Sequence, residues 1–252
     1  MGGEKVDVID VFEKPYEVWS RRKTTVEEAL ELVKTQGLSI LEALEPKDKL
    51  LETIATHNEA AHRMLRVRED NGLEFHIDRA LDESPAFQHL QGLMPQDVPQ
   101  PLSEYQCSYP EYDKEMVDSA INTLGVKVAQ GQFLFHGGEW GGADDTLTTS
   151  KPFSTSFCPQ VALRNAEWRG KAFDAGRVDL MVVRVAQPAT NAYVYNREGE
   201  HGNEKEIVFA SGAKLKRVRE THVTDITAYK MHANLTQEEK VVPAYLVEVE
   251  IS

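Results

Sequence analysis

The side chains best suited to chemistry are two carboxylates in Glu204-Lys205-Glu206, after the Gly-containing stretch Glu198-Gly199-Glu200-His201-Gly202 and before an apolar run. In an extended chain, positions two apart point the same way. Both carboxylates then share a face and Lys205 points away. Two close carboxylates repel, which raises the apparent pKa of the pair unless a cation sits between them. Such a pair suits holding a guanidinium or stabilising a developing positive charge. Glu-x-Glu is common, however, and alone it reads better as a solvated charge cluster at a loop edge.

Two further segments carry polar groups on apolar strands. In Phe153-Ser154-Thr155-Ser156-Phe157, alternation buries Phe153, Thr155 and Phe157 and sets Ser154 and Ser156 on the other side. In Phe133-Leu134-Phe135-His136-Gly137-Gly138, His136 stands at a strand end, beside glycines that let a ligand approach the backbone. Each is ordinary taken singly: a strand with one polar face, and a histidine before a turn.

Other arrangements carry no chemistry. His57 and His62 resemble a zincin helix but stand five apart, about 140° around the helix, so they do not readily share one metal. No Gly-rich phosphate loop of the P-loop or Rossmann type is present. Cys107 and Cys158 are too few for a disulfide framework and read as free thiols. Lys214, Lys216, Arg217 and Arg219 read as a solvated strand. The expectation is a site without metal.

The elements that position these groups change character near residue 125. Residues 1–125 read as a helical region. Thr24 and Thr25 before Glu27 and Glu28 open a helix that Gly37 closes. A short helix covers Leu38 to Leu44. Pro46 opens a longer one to about Val67, with Leu50, Leu51, Ile54, Ala61, Met64 and Leu65 as its stripe, ended by Asn71-Gly72. The Pro-rich stretch from Ser84 to Pro110 reads as an irregular connector, and a last helix runs from about Tyr112 to Leu124. Residues 126–252 read as strands: Gln132 to His136, Phe153 to Phe157, the apolar Val178 to Ala186, a hairpin of Ile207 to Ala210 with Lys214 to Val218, and the alternating Tyr245 to Ile251. One helix begins at Pro159. The expected class is α+β.

Charge narrows the partners. The chain of 252 residues carries a net charge of -13, of which residues 1–125 hold -12 and residues 126–252 hold -1. The acidic first half argues against that half gripping nucleic acid, while the second half stays open to it. No apolar run reaches the length of a membrane span, and Met1-Gly2-Gly3-Glu4-Lys5 lacks the pattern of a secretory signal. The expected location is cytoplasmic, with delivery into a target cell compatible with it.

The order of the three segments resembles the mono-ADP-ribosyltransferase family, in its bacterial or phage toxin-like form with Arg or His, Ser-Thr-Ser and Glu-x-Glu motifs. The resemblance runs from about Gln130 to the C-terminus. It also takes in Val178 to Pro188, Lys214-Leu215-Lys216 and Ala244 to Glu250. It implies a mixed β-sandwich catalytic domain over residues 126–252, with NAD as co-substrate. By this resemblance Glu206 is the catalytic glutamate, holding the nicotinamide-side ribose and stabilising the oxocarbenium ion. Glu204 engages the acceptor. Ser154 shapes the NAD site with Thr155 and Ser156 in support, and His136 and Gly137 belong to the cofactor-binding set. His136 stands where the family usually has arginine. Histidine there is familiar in the diphtheria-toxin and poly-ADP-ribose polymerase branch, whose tyrosine motif this chain lacks. The implied acceptor is a protein arginine. A nucleic-acid base is one alternative, and an inactive interaction module on the same fold is another. An antitoxin or immunity protein is a further partner that the resemblance implies.

Overall fold

The computed structural model describes residues 6–199, 201–232 and 234–252. Met1 to Lys5 and Glu200, used above to read the N-terminus and the Gly-containing stretch, lie outside the described residues. The chain divides into two compact units, Phe12–Thr56 and a larger one made of the residues up to Val11 with His57–Ser252.

In the smaller unit, strand β1 (Tyr16–Arg21) pairs antiparallel with β2 (Lys47–Ile54), and helices α1 (Val26–Gln36) and α2 (Ile40–Leu44) lie between them in sequence. The Thr25 side chain caps α1, Gly37 ends it with φ 68°, and Ser39 with Glu42 forms a capping box on α2. The sequence expectation of one helix from Pro46 to Val67 is corrected. Residues 47–54 are a strand, because β1 offers a pairing partner, with Tyr16 opposite Ile54. The helix begins only at His57.

The larger unit opens with five helices: α3 (His57–Val67), α4 (Asn71–Asp82), α5 (Pro85–Gly92), α6 (Gln100–Ser108) and α7 (Lys114–Leu124). Asn71-Gly72 starts α4 rather than ending α3, since the Asp70 carboxylate accepts the Leu73 amide at 3.0 Å and caps the new helix. The Pro-rich stretch is not irregular. Ser84 caps α5 with Pro85 in its first turn, and Pro101 sits in the first turn of α6. In a first turn, proline lacks only an N–H that had no partner.

Nine strands follow among the described residues: β3 (Val126–Lys127), β4 (Phe133–Gly138), β5 (Thr146–Thr148), β6 (Phe153–Ser156), β7 (Val178–Val185), β8 (Asn191–Val194), β9 (Glu206–Phe209), β10 (Lys214–Met231) and β11 (Gln237–Ile251). Helices α8 (Pro159–Glu167) and α9 (Lys171–Ala175) interrupt them. The sheet order is β3-β8-β9-β6-β4-β7-β11-β10-β5, mixed because β7 and β11 run parallel. Its two groups of strands meet at one pair, Phe135 opposite Ser156 of β4 and β6. The architecture is α+β. Strand β7 is buried along nearly its whole length, as its apolar run requires. The expected hairpin of β9 with β10 is absent: β9 pairs with β6 and β8, and β10 with β11 and β5. The turn between them is bound to Thr149 instead, with the Gly212 amide donating to its carbonyl at 2.8 Å.

Two packing features hold the site. Helices α6 and α7 lay Leu102, Tyr105, Val117 and Ile121 on Tyr193, Tyr195, Val208 and Ala210 of and beside β8 and β9. Helix α8 lies directly on β4. A Cβ on Gly137 would come within 1.6 Å of the Ala162 carbonyl oxygen, so the missing side chain there serves helix packing.

Candidate active site

Glu206 opens β9 and is 7% exposed. Antiparallel register places Ser156 opposite Glu206 and Ser154 opposite Val208. The two serines and Glu206 therefore share one sheet face, and the Ser154 hydroxyl donates diagonally to one carboxyl oxygen of Glu206. The other oxygen accepts from the Gln106 side-chain amide at 3.1 Å, presented by α6. Burial pushes the Glu206 carboxyl up to about 7; the Ser154 and Gln106 hydrogen bonds pull it down, and the Glu204 charge raises it.

Glu204 reaches the site by a different backbone path from the extended one expected. It ends the short 3-10 turn Gly202–Glu204, and Lys205 is left-handed with φ 51°. Gly202 is needed here because a Cβ would lie 1.8 Å from the Arg197 carbonyl oxygen. Lys205 does not point to solvent. Its ammonium is buried against Glu74 at 3.2 Å and Asp78 at 3.1 Å of α4. Arg197, earlier in the same loop, pairs with Asp78 at 2.6 Å and Asp82 at 2.5 Å. Helix α4 thus pins both ends of the loop that carries the glutamates. Glu204 itself is half-exposed, 3.9 Å from the His201 ring nitrogen, and burial raises its carboxyl above the usual range.

The Ser-Thr-Ser segment fastens this loop. Thr155, buried, donates to the Ile207 carbonyl at 2.8 Å. Ser156, also buried, donates to the Glu204 carbonyl at 2.6 Å and accepts the Cys158 amide at 3.0 Å. Of the three hydroxyls, Ser154 is the one that touches a carboxylate of the pair. His136 lies on the neighbouring strand, its Nδ1 2.6 Å from the Ser154 carbonyl and its ring centre 4.4 Å from that of Phe153. A carbonyl only accepts, so Nδ1 carries the proton and Nε2 is left as an acceptor. Burial lowers the imidazole to about 4, and Lys171 and Lys151 add to the lowering. The ring is neutral at physiological pH.

The sequence-predicted groups Glu204, Glu206, Ser154, Thr155, Ser156 and His136 thus come together, while Gly137 is buried against α8. Sequence reasoning missed Gln106, although Leu102 and Tyr105 three apart signal the helix that carries it. It also missed the tyrosines of that helix end. His57 and His62 do not converge: His57 stacks on Phe133 at 4.9 Å, and the His62 ring accepts from Arg66 at 3.1 Å. In the basic strand, Arg217 pairs with Asp145 at 2.9 Å. Among the described residues, no helix is long and apolar enough to cross a membrane.

No protein-family model matches the chain, and no curated protein matches it with significance. Similar solved structures include the enzymatic component C2-I of the C2 toxin from Clostridium botulinum, 11% identical over 65% of this chain and 45% of that one, with a TM-score of 0.39. The chain thus spans less than half the length of that structure. Also similar are the ADP-ribosyltransferase Vis from Vibrio splendidus, 15% identical over 92% and 88% with a TM-score of 0.31, and exoenzyme S from Pseudomonas aeruginosa, solved with human 14-3-3 protein beta and carba-NAD, 13% identical over 88% and 81% with a TM-score of 0.30.

Proposed function

We propose that the chain is an NAD-dependent mono-ADP-ribosyltransferase with Glu206 at its catalytic centre. The observation that carries the reading is the buried Glu206 carboxyl, held by Ser154 and Gln106 on a face that also receives Glu204. A carboxylate kept out of water and tethered in advance stabilises positive charge far better than a solvated one. Its work is to hold the ribose next to nicotinamide and stabilise the charge that develops there as the glycosidic bond breaks. Nicotinamide leaves with the bonding electron pair, and an acceptor nitrogen then attacks the same carbon and gives up a proton. His136 fits the ribose side, since its neutral ring offers Nε2 to a hydroxyl.

Glu204, more exposed than Glu206, is the group to orient the acceptor. A protein arginine suits it, because a guanidinium stays charged and pairs with a carboxylate. Arg217 and Arg219 are occupied by Asp145, Glu220 and Glu248, which leaves less free charge on that strand for a nucleic-acid acceptor. Isotope-labelled NAD added to a cell lysate with the purified chain tests the reading. The expected product is labelled protein that resists nuclease, is destroyed by protease, and does not form with Glu206→Gln. Label sensitive to nuclease would move the acceptor to nucleic acid, and no label with any extract would remove the transferase reading.

A further inference from the structure

Lys151, Arg169 and Lys171 gather on an aromatic platform beside His136. The platform is Tyr109 and Trp168, with ring centres 6.3 Å apart. The Lys171 ammonium stands 5.5 Å from the Tyr109 ring centre and 5.3 Å from that of Trp168. Lys151 stands 5.5 Å from the Tyr109 ring centre and donates to the Tyr109 hydroxyl at 2.9 Å. The Arg169 guanidinium lies 4.2 Å over Trp168. Its backbone is left-handed with φ 53°, a conformation uncommon outside glycine. Tyr112 backs the platform, stacked on Tyr109 at 5.9 Å.

None of the three cations pairs with a carboxylate among the described residues. In a chain of net charge -13 this is a departure from the surrounding surface. Lys151 and Lys171 are close enough that Lys151 helps burial to lower the Lys171 ammonium. Ring stacking offsets part of the repulsion, and an anion shared by the three would offset the rest.

The candidate active site needs such a cation group. Glu204 and Glu206 bring negative charge, and the neutral His136 ring supplies no positive charge to set against it. A dinucleotide entering beside them carries two phosphate charges of the same sign as the carboxylates. Lys151 and Lys171 are the cations whose field reaches His136.

We propose that Lys151, Lys171 and Arg169, on the Tyr109–Trp168 platform, form the subsite for the diphosphate of NAD. This rests on reading the neighbouring site as NAD-using.

Calorimetric titration of the whole chain tests it, with NAD, ADP-ribose and the phosphate-free nicotinamide riboside as probes, at low and high salt. The double variant Lys151→Gln with Lys171→Gln should raise the Kd of NAD and ADP-ribose by about tenfold or more. It should leave nicotinamide riboside within about twofold and flatten the salt dependence of NAD binding. Charge-keeping Lys151→Arg with Lys171→Arg should bind NAD like wild type, and so should Lys216→Gln on the far strand. Melting curves establish that each variant is folded. Wild-type NAD affinity in the folded double Gln variant overturns the proposal. So does an equal loss for nicotinamide riboside, or a loss that the Arg variants share. The reading beneath it fails separately: if Glu206→Gln leaves NAD turnover intact while the lysine effects appear, the anion subsite stands and the transferase falls. If Glu206→Gln abolishes turnover and the lysine variants bind normally, the subsite falls alone.

Discussion

The Ser154 hydroxyl donates to the Glu206 carboxyl across β6 and β9, two positions along β9 from Val208, the residue directly opposite it. Each partner limits the other. Ser154 favours the ionised carboxyl, while burial favours the neutral one. The Glu206 charge is therefore gained or lost near neutral pH.

That balance sets a pH profile. The kcat/KM for NAD hydrolysis should rise about tenfold per unit at acid pH and level off above the Glu206 value, about 7. Removing the hydrogen bond in Ser154→Ala should move the midpoint upward by about one unit, because the bond stabilises the charged form. A profile whose midpoint stays put in Ser154→Ala would disconnect the two residues.

Glu206→Gln should abolish nearly all transfer, an electrostatic loss of roughly 3–4 kcal/mol, while stabilising the fold. The sign follows from the raised carboxyl. An unfolded glutamate titrates near 4.5 and the folded one near 7, so the native state holds an extra proton between those values. Wild-type stability then falls as pH rises across that window, and the neutral Gln side chain escapes the loss. Urea titrations at pH 4.5 and 8 should show the variant's advantage grow by as much as about 3 kcal/mol.

Glu204→Ala should lower transfer to the acceptor by about tenfold or more and NAD hydrolysis by less than about threefold. The half-exposed Glu204 makes no contact with Glu206 beyond charge repulsion, so its loss leaves the carboxyl tether in place. Equal loss of both activities would contradict this division.

His136→Ala should lower the melting temperature without NAD as well as NAD affinity. The Ser154 carbonyl loses its donor at 2.6 Å, worth about 1 kcal/mol. An unchanged apo melting curve would assign the ring to the ligand alone.

Lys205→Met should destabilise the chain by about 3–5 kcal/mol, since Glu74 and Asp78 lose the cation between them. Hydrogen exchange should quicken first in residues 196–205. Exchange that quickens uniformly would show that Lys205 does not hold this loop in particular.

Where a side chain's neighbours in sequence decide its place, the sequence was readable. Thr25 and Gly37 bound α1 because capping is local. The apolar run of β7 leaves it no exposed face. The Ser-Thr-Ser and Glu-x-Glu segments were legible as motifs, though alternation gave the wrong direction for Lys205. One left-handed residue resets strand parity, and its type does not announce it. Strand β2 was hidden because its partner lies some thirty residues earlier. Helices α5 and α6 were hidden because their prolines, read as breakers, stand in first turns. Gln106 is part of the site only because α6 docks on β8 and β9, a contact no local pattern encodes.

The packing of α6 and α7 and the grip of α4 reach beyond the site itself. Residues 126–252 carry all the motifs, yet Tyr193, Tyr195 and Val208 are covered by side chains from before residue 125, and the Tyr195 hydroxyl donates to the Leu102 carbonyl at 2.8 Å. Cutting the chain at 125 would open a greasy tyrosine-lined face and strip Lys205 and Arg197 of their counter-charges. Glu74 and Asp78 of the acidic first half are thus mortar rather than coating. A fragment of residues 126–252 would bear every motif, yet it would expose that face and lack those ion-pair partners.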